Sequence, residues 1–497
     1  MKATISRWCS TLRGGAGGKA QAPQARPGPA SDLDAPLLYL SPADPFTLRH
    51  AVEGMSVMGA PGSAKSTGIG ATILRALMAH GCGGLICCVK AGEAATVAAH
   101  AAATGRTKSL IVVSPANGWR CNLLDYVLKR PGVVGSRTEQ VVTLFASLLE
   151  VMERGESGGG RNEAFWRRSM NQRIRNTAEV MIVAGEPLSV EAMHRFMLSA
   201  PATHEEVQSR AWQEGSYCYQ LIQRVLDGRY DALSARGRSD FDLAALYWLC
   251  EQISIPDETR GSIAATWSTA ADMLMRGQLA DLFGTESNFV PEVTFAGAIV
   301  VLDLPVKVYG QAGAMLQAAF KHVWQQAAES RDVAASPCVV FQYIDEAHEL
   351  VTEGDAFFAA TSRSARVATV FLSQNLSNYF STLGGEQGRH KVEALFGSIT
   401  THIFHANGHA LTNKWASDMI AEHTAMRLGW SRDQSTGRGS GSGTEHQQKK
   451  VPEAVFTELA RGGPPAFVAE AIVFQGGRRF NVSGETFARI GFRQLLT

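Results

Sequence analysis

The stretch M-S-V-M-G-A-P-G-S-A-K-S-T at residues 55–67 decides how this 497-residue chain is read. A short apolar run ends in a Gly-rich turn. Lys65, Ser66 and Thr67 follow, and then a helical spacing of Ile69, Ile73, Leu74, Leu77 and Met78. Strand, glycine loop and helix in that order are the context of a phosphate-binding P-loop. In such a loop the backbone N–H groups and the helix N-terminus cradle phosphates. Gly59, Gly62, Ser63, Ala64, Lys65, Ser66 and Thr67 are therefore the expected nucleotide-binding residues. Lys65 is expected at the β- and γ-phosphates and the Ser66 hydroxyl on Mg2+. Ala64 stands where the pattern has its second glycine, and a positive φ at that position would cost about 1 kcal/mol.

The chain is 45% hydrophobic and 19% charged, with net charge +1, which suits a globular protein of two or three domains. That balance excludes a globally basic nucleic-acid binder but leaves room for a local basic channel. The eight cysteines form no CxxC pair and no zinc spacing, and are read as reduced, buried thiols of a cytoplasmic protein. No apolar run approaches the ~18 residues that span a bilayer. Residues 1–35, rich in Ala, Gly, Pro and Arg, are read as a disordered basic tail in preference to a weak amphipathic anchor.

From 36 to 134 strands alternate with helices, at 56–58, 84–89 and 109–113, which predicts a parallel sheet with helices on both faces. From 135 to 290 the strand signal fades into helical periodicity, and Thr203-His-Glu-Glu206 has capping-box spacing. Strands resume between 291 and 497, at 298–302, 338–344, 367–372, 400–405 and 466–474. The run S-T-G-R-G-S-G-S-G-T at 435–444 is expected to be a flexible loop. The expected architecture is thus an α/β nucleotide-binding domain in two parts, interrupted by an all-α insertion.

The apolar run Val339-Val-Phe-Gln-Tyr-Ile344 ends in Asp345 and Glu346. Carboxylates at a strand's carboxyl end sit where ligands bind in open α/β sheets. Asp345 is expected to hold Mg2+, and Glu346 to orient or deprotonate the attacking water. The letters D-E-A-H at 345–348 also spell a helicase box, but the other helicase motifs are missing. The strand at 367–372 leads to Gln374, an amide suited to sensing a γ-phosphate; upstream, Arg363 is a candidate arginine finger acting on a neighbour's nucleotide.

The ordered set resembles the TraG/TraD-like coupling ATPases of type IV secretion, within the HerA–FtsK class of hexameric DNA pumps. After the P-loop, Val89-Lys90-Ala91-Gly92-Glu93 looks like the family's Asp-x-Lys-Gly-Glu segment, with Cys88 for the Asp and Ala91 extra. Arg120-Cys-Asn122-Leu-Leu124 looks like its Asn-Pro-Leu segment, with Leu123 for the Pro. Phe165-Trp166, Thr259-Arg260, Leu304-Pro305, Asp345-Glu346, Arg363, Gln374 and Gly462-Gly-Pro-Pro465 follow at family-like intervals. The resemblance spans residues 36–480. It implies a RecA-like fold with an inserted all-α domain, ATP and Mg2+ as cofactors, and ATP hydrolysis coupled to DNA translocation. The implied partners are DNA, single-stranded in the first instance, a relaxase, the secretion channel and five further copies in a homo-hexamer. It also implies a place in the cytoplasm, docked peripherally at the inner membrane through partners. The absence of a membrane-spanning segment departs from most coupling proteins. Two alternatives stay open: a HerA/FtsK-like pump in packaging, segregation or defence, and a nucleotide-binding recruitment adaptor with little hydrolysis. Arg161, Arg167, Arg168, Arg173 and Arg175, beside Phe165 and Trp166, read either as a DNA-facing surface or as a solvated helix face over a core.

Overall fold

The computed structural model describes residues 29–130, 137–152, 163–432 and 439–496. Residues 1–28 of the expected tail lie outside them, but Ala30 is buried and its carbonyl accepts a hydrogen bond from Val339 N at 2.8 Å. Ordered packing thus begins before residue 36, ahead of the hairpin of β1 (Pro36–Ser41) and β2 (Asp44–Thr47).

The centre is a nine-stranded sheet in the order β13-β12-β9-β3-β8-β7-β4-β6-β5. Its strands are β3 (Met55–Met58), β4 (Gly83–Cys87), β5 (Leu110–Val113), β6 (Ile299–Leu302), β7 (Val340–Ile344), β8 (Val367–Ser373), β9 (Thr401–His405), β12 (Val468–Gln475) and β13 (Phe487–Arg493). From β9 to β5 all neighbours are parallel; β12 and β13 add an antiparallel edge. Strands β3, β4, β6, β7 and β8 are buried at every position, as expected of parallel strands covered on both faces. β13 instead alternates buried and exposed residues, the mark of a half-covered edge.

One face packs Ile86, Cys88 and Val370 against Ile73 and Leu77 of α1 (Ala71–Ala79) and Val97 of α2 (Glu93–Ala103). The other face belongs to a core that runs without interruption into the helical insertion, from Leu85, Cys87 and Leu302 to Phe145, Trp248 and Trp267. The insertion starts with α3 (Arg137–Met152) and α4 (Glu163–Ala184) and ends with α5 (Asp257–Met275) and the short helix Gly277–Phe283. It returns to the sheet through β6 and α6 (Val306–Glu329), which is broken near its start at Gly310 (φ 58°, ψ −141°).

The Gly/Ser run departs from expectation. Residues 439–444 belong to β11 (Gly439–Lys449), which pairs antiparallel with β10 (Glu422–Arg432) as a two-stranded ribbon; 435–438 lie outside the described residues. Backbone ladder bonds do not require side chains, so a composition poor in packing groups still pairs.

Candidate functional site

The strand order places β8 between β3 and β7, so three loops leave the carboxyl edge side by side: 59–65 after β3, Gln374 after β8, and Asp345-Glu346 after β7. The first loop is tied to its surroundings at its start. Gly59 N donates to Ser373 O (3.2 Å) and Ala60 N to Ala406 O (3.0 Å). A methyl on Gly59 would collide with the Ser63 hydroxyl and stand 2.8 Å from His405 Cβ, so only glycine fits. Gly62 and Ala64 both have positive φ, 74° and 62°. Ala64 therefore occupies the left-handed conformation that its missing glycine would have supplied, at a strain cost of about 1 kcal/mol. Lys65 opens a wide π turn, Ser66–Gly70, that runs into α1.

The side chains of Lys65, Ser66, Asp345, Glu346 and Gln374 converge. Ser66 Oγ donates to Asp345 Oδ2 at 2.8 Å. Lys65 Nζ lies 3.3 Å from Glu346 Oε1, and Gln374 Nε2 donates to the same oxygen at 3.2 Å. Asn407 Nδ2 holds the Gln374 carbonyl at 2.9 Å. Glu346 itself has φ 54°, and its N–H turns back to Asp345 Oδ1 at 3.0 Å. Burial pushes the Glu346 carboxyl up, but Lys65, Lys90 and Gln374 outweigh it and the carboxyl falls below its usual range.

Three members of this neighbourhood were not singled out as site residues from the sequence. Lys90 Nζ bridges both carboxylates, 3.1 Å from Asp345 Oδ2 and 3.0 Å from Glu346 Oε1. Its partners outweigh the effect of burial and raise its pKa. Glu93 caps that loop, its Oε2 accepting from Val89 N (2.6 Å) and Lys90 N (3.1 Å); burial pushes its carboxyl up to about 7. The third is Gln494. Its amide donates to Thr67 Oγ1 at 3.0 Å and accepts from Gly463 N at 2.5 Å, while Leu495 N reaches Thr67 O at 2.7 Å. This C-terminal clasp closes over the P-loop where a Cβ on Gly462 would stand 3.3 Å from that of Ala64. The Lys90-Ala-Gly-Glu segment carried a usable signal for the first two; nothing local marks a glutamine 427 residues away from its partner.

Arg363 does not join the cluster. It precedes β8, at the end of the sheet remote from the P-loop, 67% exposed and 3.7 Å from Glu53. Three arginines of α4 are engaged elsewhere. Arg173 is buried under the Trp248 ring, Arg175 pairs with Glu139 and Arg167 with Glu353. Arg161 lies outside the described residues. Trp166 packs on the core, as the solvated-face reading expects, whereas Phe165 is half exposed and Arg173 buried, against that reading, and Arg168 is exposed.

The site fits a nucleotide phosphate chain with its Mg2+. The buried Ser63 Oγ and Glu346 Oε2 have no hydrogen-bond partner among the described residues and are available to a ligand. Ser66 Oγ and Asp345 Oδ2 are the oxygen pair suited to a hard divalent cation.

No protein-family model and no curated protein sequence matches the chain. Solved structures do. The chain has the fold of TrwB, a bacterial conjugative coupling protein. The match to TrwB in complex with a non-hydrolysable ATP analogue has a TM-score of 0.58 at 16% identity and covers 97% of this chain and 96% of that one. The match to TrwB in complex with ADP and Mg2+ has a TM-score of 0.58 at 15% identity, covering 99% and 92%. The unbound form matches with a TM-score of 0.56 at 14% identity, covering 99% and 92%. The expected RecA-like α/β fold with its helical insertion is therefore the observed one.

Proposed function

We propose that this chain is an ATP-driven coupling ATPase, a translocase that delivers relaxase-bound DNA to a conjugative type IV secretion channel. The observation that carries the reading is the convergence of Lys65, Ser66, Asp345, Glu346 and Gln374 at one sheet edge, in a fold shared along its length with TrwB. Lys65 would meet the β- and γ-phosphates, and Ser66 and Asp345 would hold Mg2+. The bound ion would neutralise charge on the phosphate oxygens. Glu346 would orient and deprotonate water, and Gln374 would couple its position to the end of β8. Ala64 already holds the backbone angle that a glycine would supply, which favours turnover over the adaptor reading.

Arg363 stands too far from its own chain's site to act there, so a finger role for it requires a neighbouring subunit, in keeping with a homo-hexamer. Arg363→Ala subunits would bind ATP and hydrolyse it poorly, and Lys65→Ala subunits would restore activity on mixing. Among the described residues no helix is long and apolar enough to cross a membrane; docking at the inner membrane would rest on partners. The test is ATP hydrolysis by the purified chain with and without single-stranded DNA. DNA-stimulated hydrolysis that disappears in Lys65→Ala is the expected result; unchanged hydrolysis in that variant sinks the assignment.

A further inference from the structure

Lys90 is the one cation of the cluster that is half exposed: 44% of its side chain reaches solvent, against 7% for Lys65. It stands on the oxygens a divalent cation would need. Asp345 Oδ2 already accepts from Ser66 Oγ at 2.8 Å, and Lys90 Nζ takes its remaining approach at 3.1 Å. Glu346 Oε1 is crowded by three donors, from Lys65, Lys90 and Gln374 at 3.3, 3.0 and 3.2 Å, while Oε2 has none. The backbone beneath Lys90 is fixed, because Glu93 Oε2 holds the N–H groups of both Val89 and Lys90. The flexible four-carbon stem is free to swing from that anchor, and an ammonium is a point charge that needs no particular planar alignment.

We propose that Lys90 is an internal stand-in for the divalent cation: its ammonium takes the cation's place against Asp345 while also pairing with Glu346, and it leaves when a divalent ion arrives with nucleotide. The inference rests on the nucleotide-site reading and deepens it, making Lys90 a positioning residue that keeps both carboxylates aligned and compensated between turnovers. Without it, Lys65 is the one cationic partner the carboxylate pair keeps within salt-bridge distance among the described residues, and a bare divalent ion meets less competition. His348, 3.7 Å from Glu346 Oε2, does not replace it, because burial depresses its pKa and favours the neutral ring.

The test is Mn2+ binding to the full chain without nucleotide, read from the electron paramagnetic resonance signal of the free ion. Lys90→Met is expected to bind Mn2+ at least about tenfold more tightly than the wild type, Lys90→Arg to stay near the wild type, and Lys90→Met with Asp345→Asn to lose the gain. Lys90→Gln serves if Lys90→Met does not fold. An Mn2+ affinity unchanged in Lys90→Met, or a gain that survives Asp345→Asn, overturns the proposal. Binding of a fluorescent ATP analogue in the presence of Mg2+ separates the two readings. If the wild type binds no nucleotide while the Mn2+ pattern holds, the ATPase assignment fails and the cation position of Lys90 stands.

Discussion

At the carboxyl edge of the sheet Lys65 and Glu346 pair with side chains 7% and 6% exposed, whereas Arg210 and Glu214 of the helical insertion pair in open solvent, 90% and 67% exposed. The two regions use charge in opposite ways. Burying ions forfeits several kcal/mol of hydration each, so a cluster such as Lys65, Lys90, Asp345 and Glu346 is a poor device for stability alone. The insertion has exposed ion pairs on helix surfaces at i,i+4, such as Arg236–Asp240 and Arg276–Asp272. It gives its interior to Phe145, Trp248 and Trp267. The contrast separates a region arranged for a charged ligand from one arranged for packing, and substitutions in the two should therefore differ in kind.

The largest effect is expected at the edge. Glu346→Gln should keep ATP binding and lower turnover by about 10²–10⁴-fold; it also leaves the buried Lys65 without its closest charged partner, so thermal unfolding should move to lower temperature. Nucleotide titration and steady-state hydrolysis on one preparation check both halves. In the insertion the converse holds. Trp248→Ala empties a site that is fully buried and should cost about 3–5 kcal/mol in urea unfolding. Nucleotide affinity per folded molecule should not move; a folded variant that no longer binds ATP would show that the two regions are one cooperative unit.

A smaller effect concerns pH. His402 is buried beside Ser56 Oγ (2.7 Å), and burial lowers its pKa from 6.5 to about 4. Between those values the unfolded chain binds the extra proton and the native state does not, so stability is intact above pH 6.5 and falls toward pH 4. His402→Phe should flatten that limb of the pH–stability curve; an unchanged slope would assign acid sensitivity to the other buried histidines. Ala64→Gly should raise hydrolysis slightly or leave it unchanged, since the φ of 62° loses about 1 kcal/mol of strain while the unfolded chain gains freedom. A large loss would mean that the Ala64 methyl, facing Gly462, is itself required. The smallest effect is expected on the insertion's surface, where Arg236→Ala should change stability by no more than about 0.5 kcal/mol.

The site's two main loops were legible because each follows a strand buried on both faces. Such a strand reads as a mostly apolar run, at 56–58 and 339–344, and chemistry-bearing residues stand out at its end. The helices of the insertion were legible from their period. What escaped was placement across the sheet: the antiparallel edge of β12 and β13, the Gln494 clasp on Thr67, and the remoteness of Arg363 from the P-loop all depend on which strands become neighbours. The β10–β11 ribbon escaped for another reason, since Gly and Ser carry no pattern from which pairing is read.

Helix α6 has a mechanical consequence. Just beyond its break at Gly310, Gln311 Nε2 grips the carbonyl that ends α3 of the insertion at 2.6 Å. Further along, the buried Lys321 Nζ grips Leu350 O at 2.7 Å, in the segment that follows Glu346, and pairs with Asp355. The unbroken rod of residues 311–329 is about 28 Å long. It is clamped at one point to the insertion and at another to the loop that carries the carboxylates. A rod held this way is a lever: a tilt of a few degrees displaces its far end by about 2 Å, and the break at Gly310 sets where it pivots.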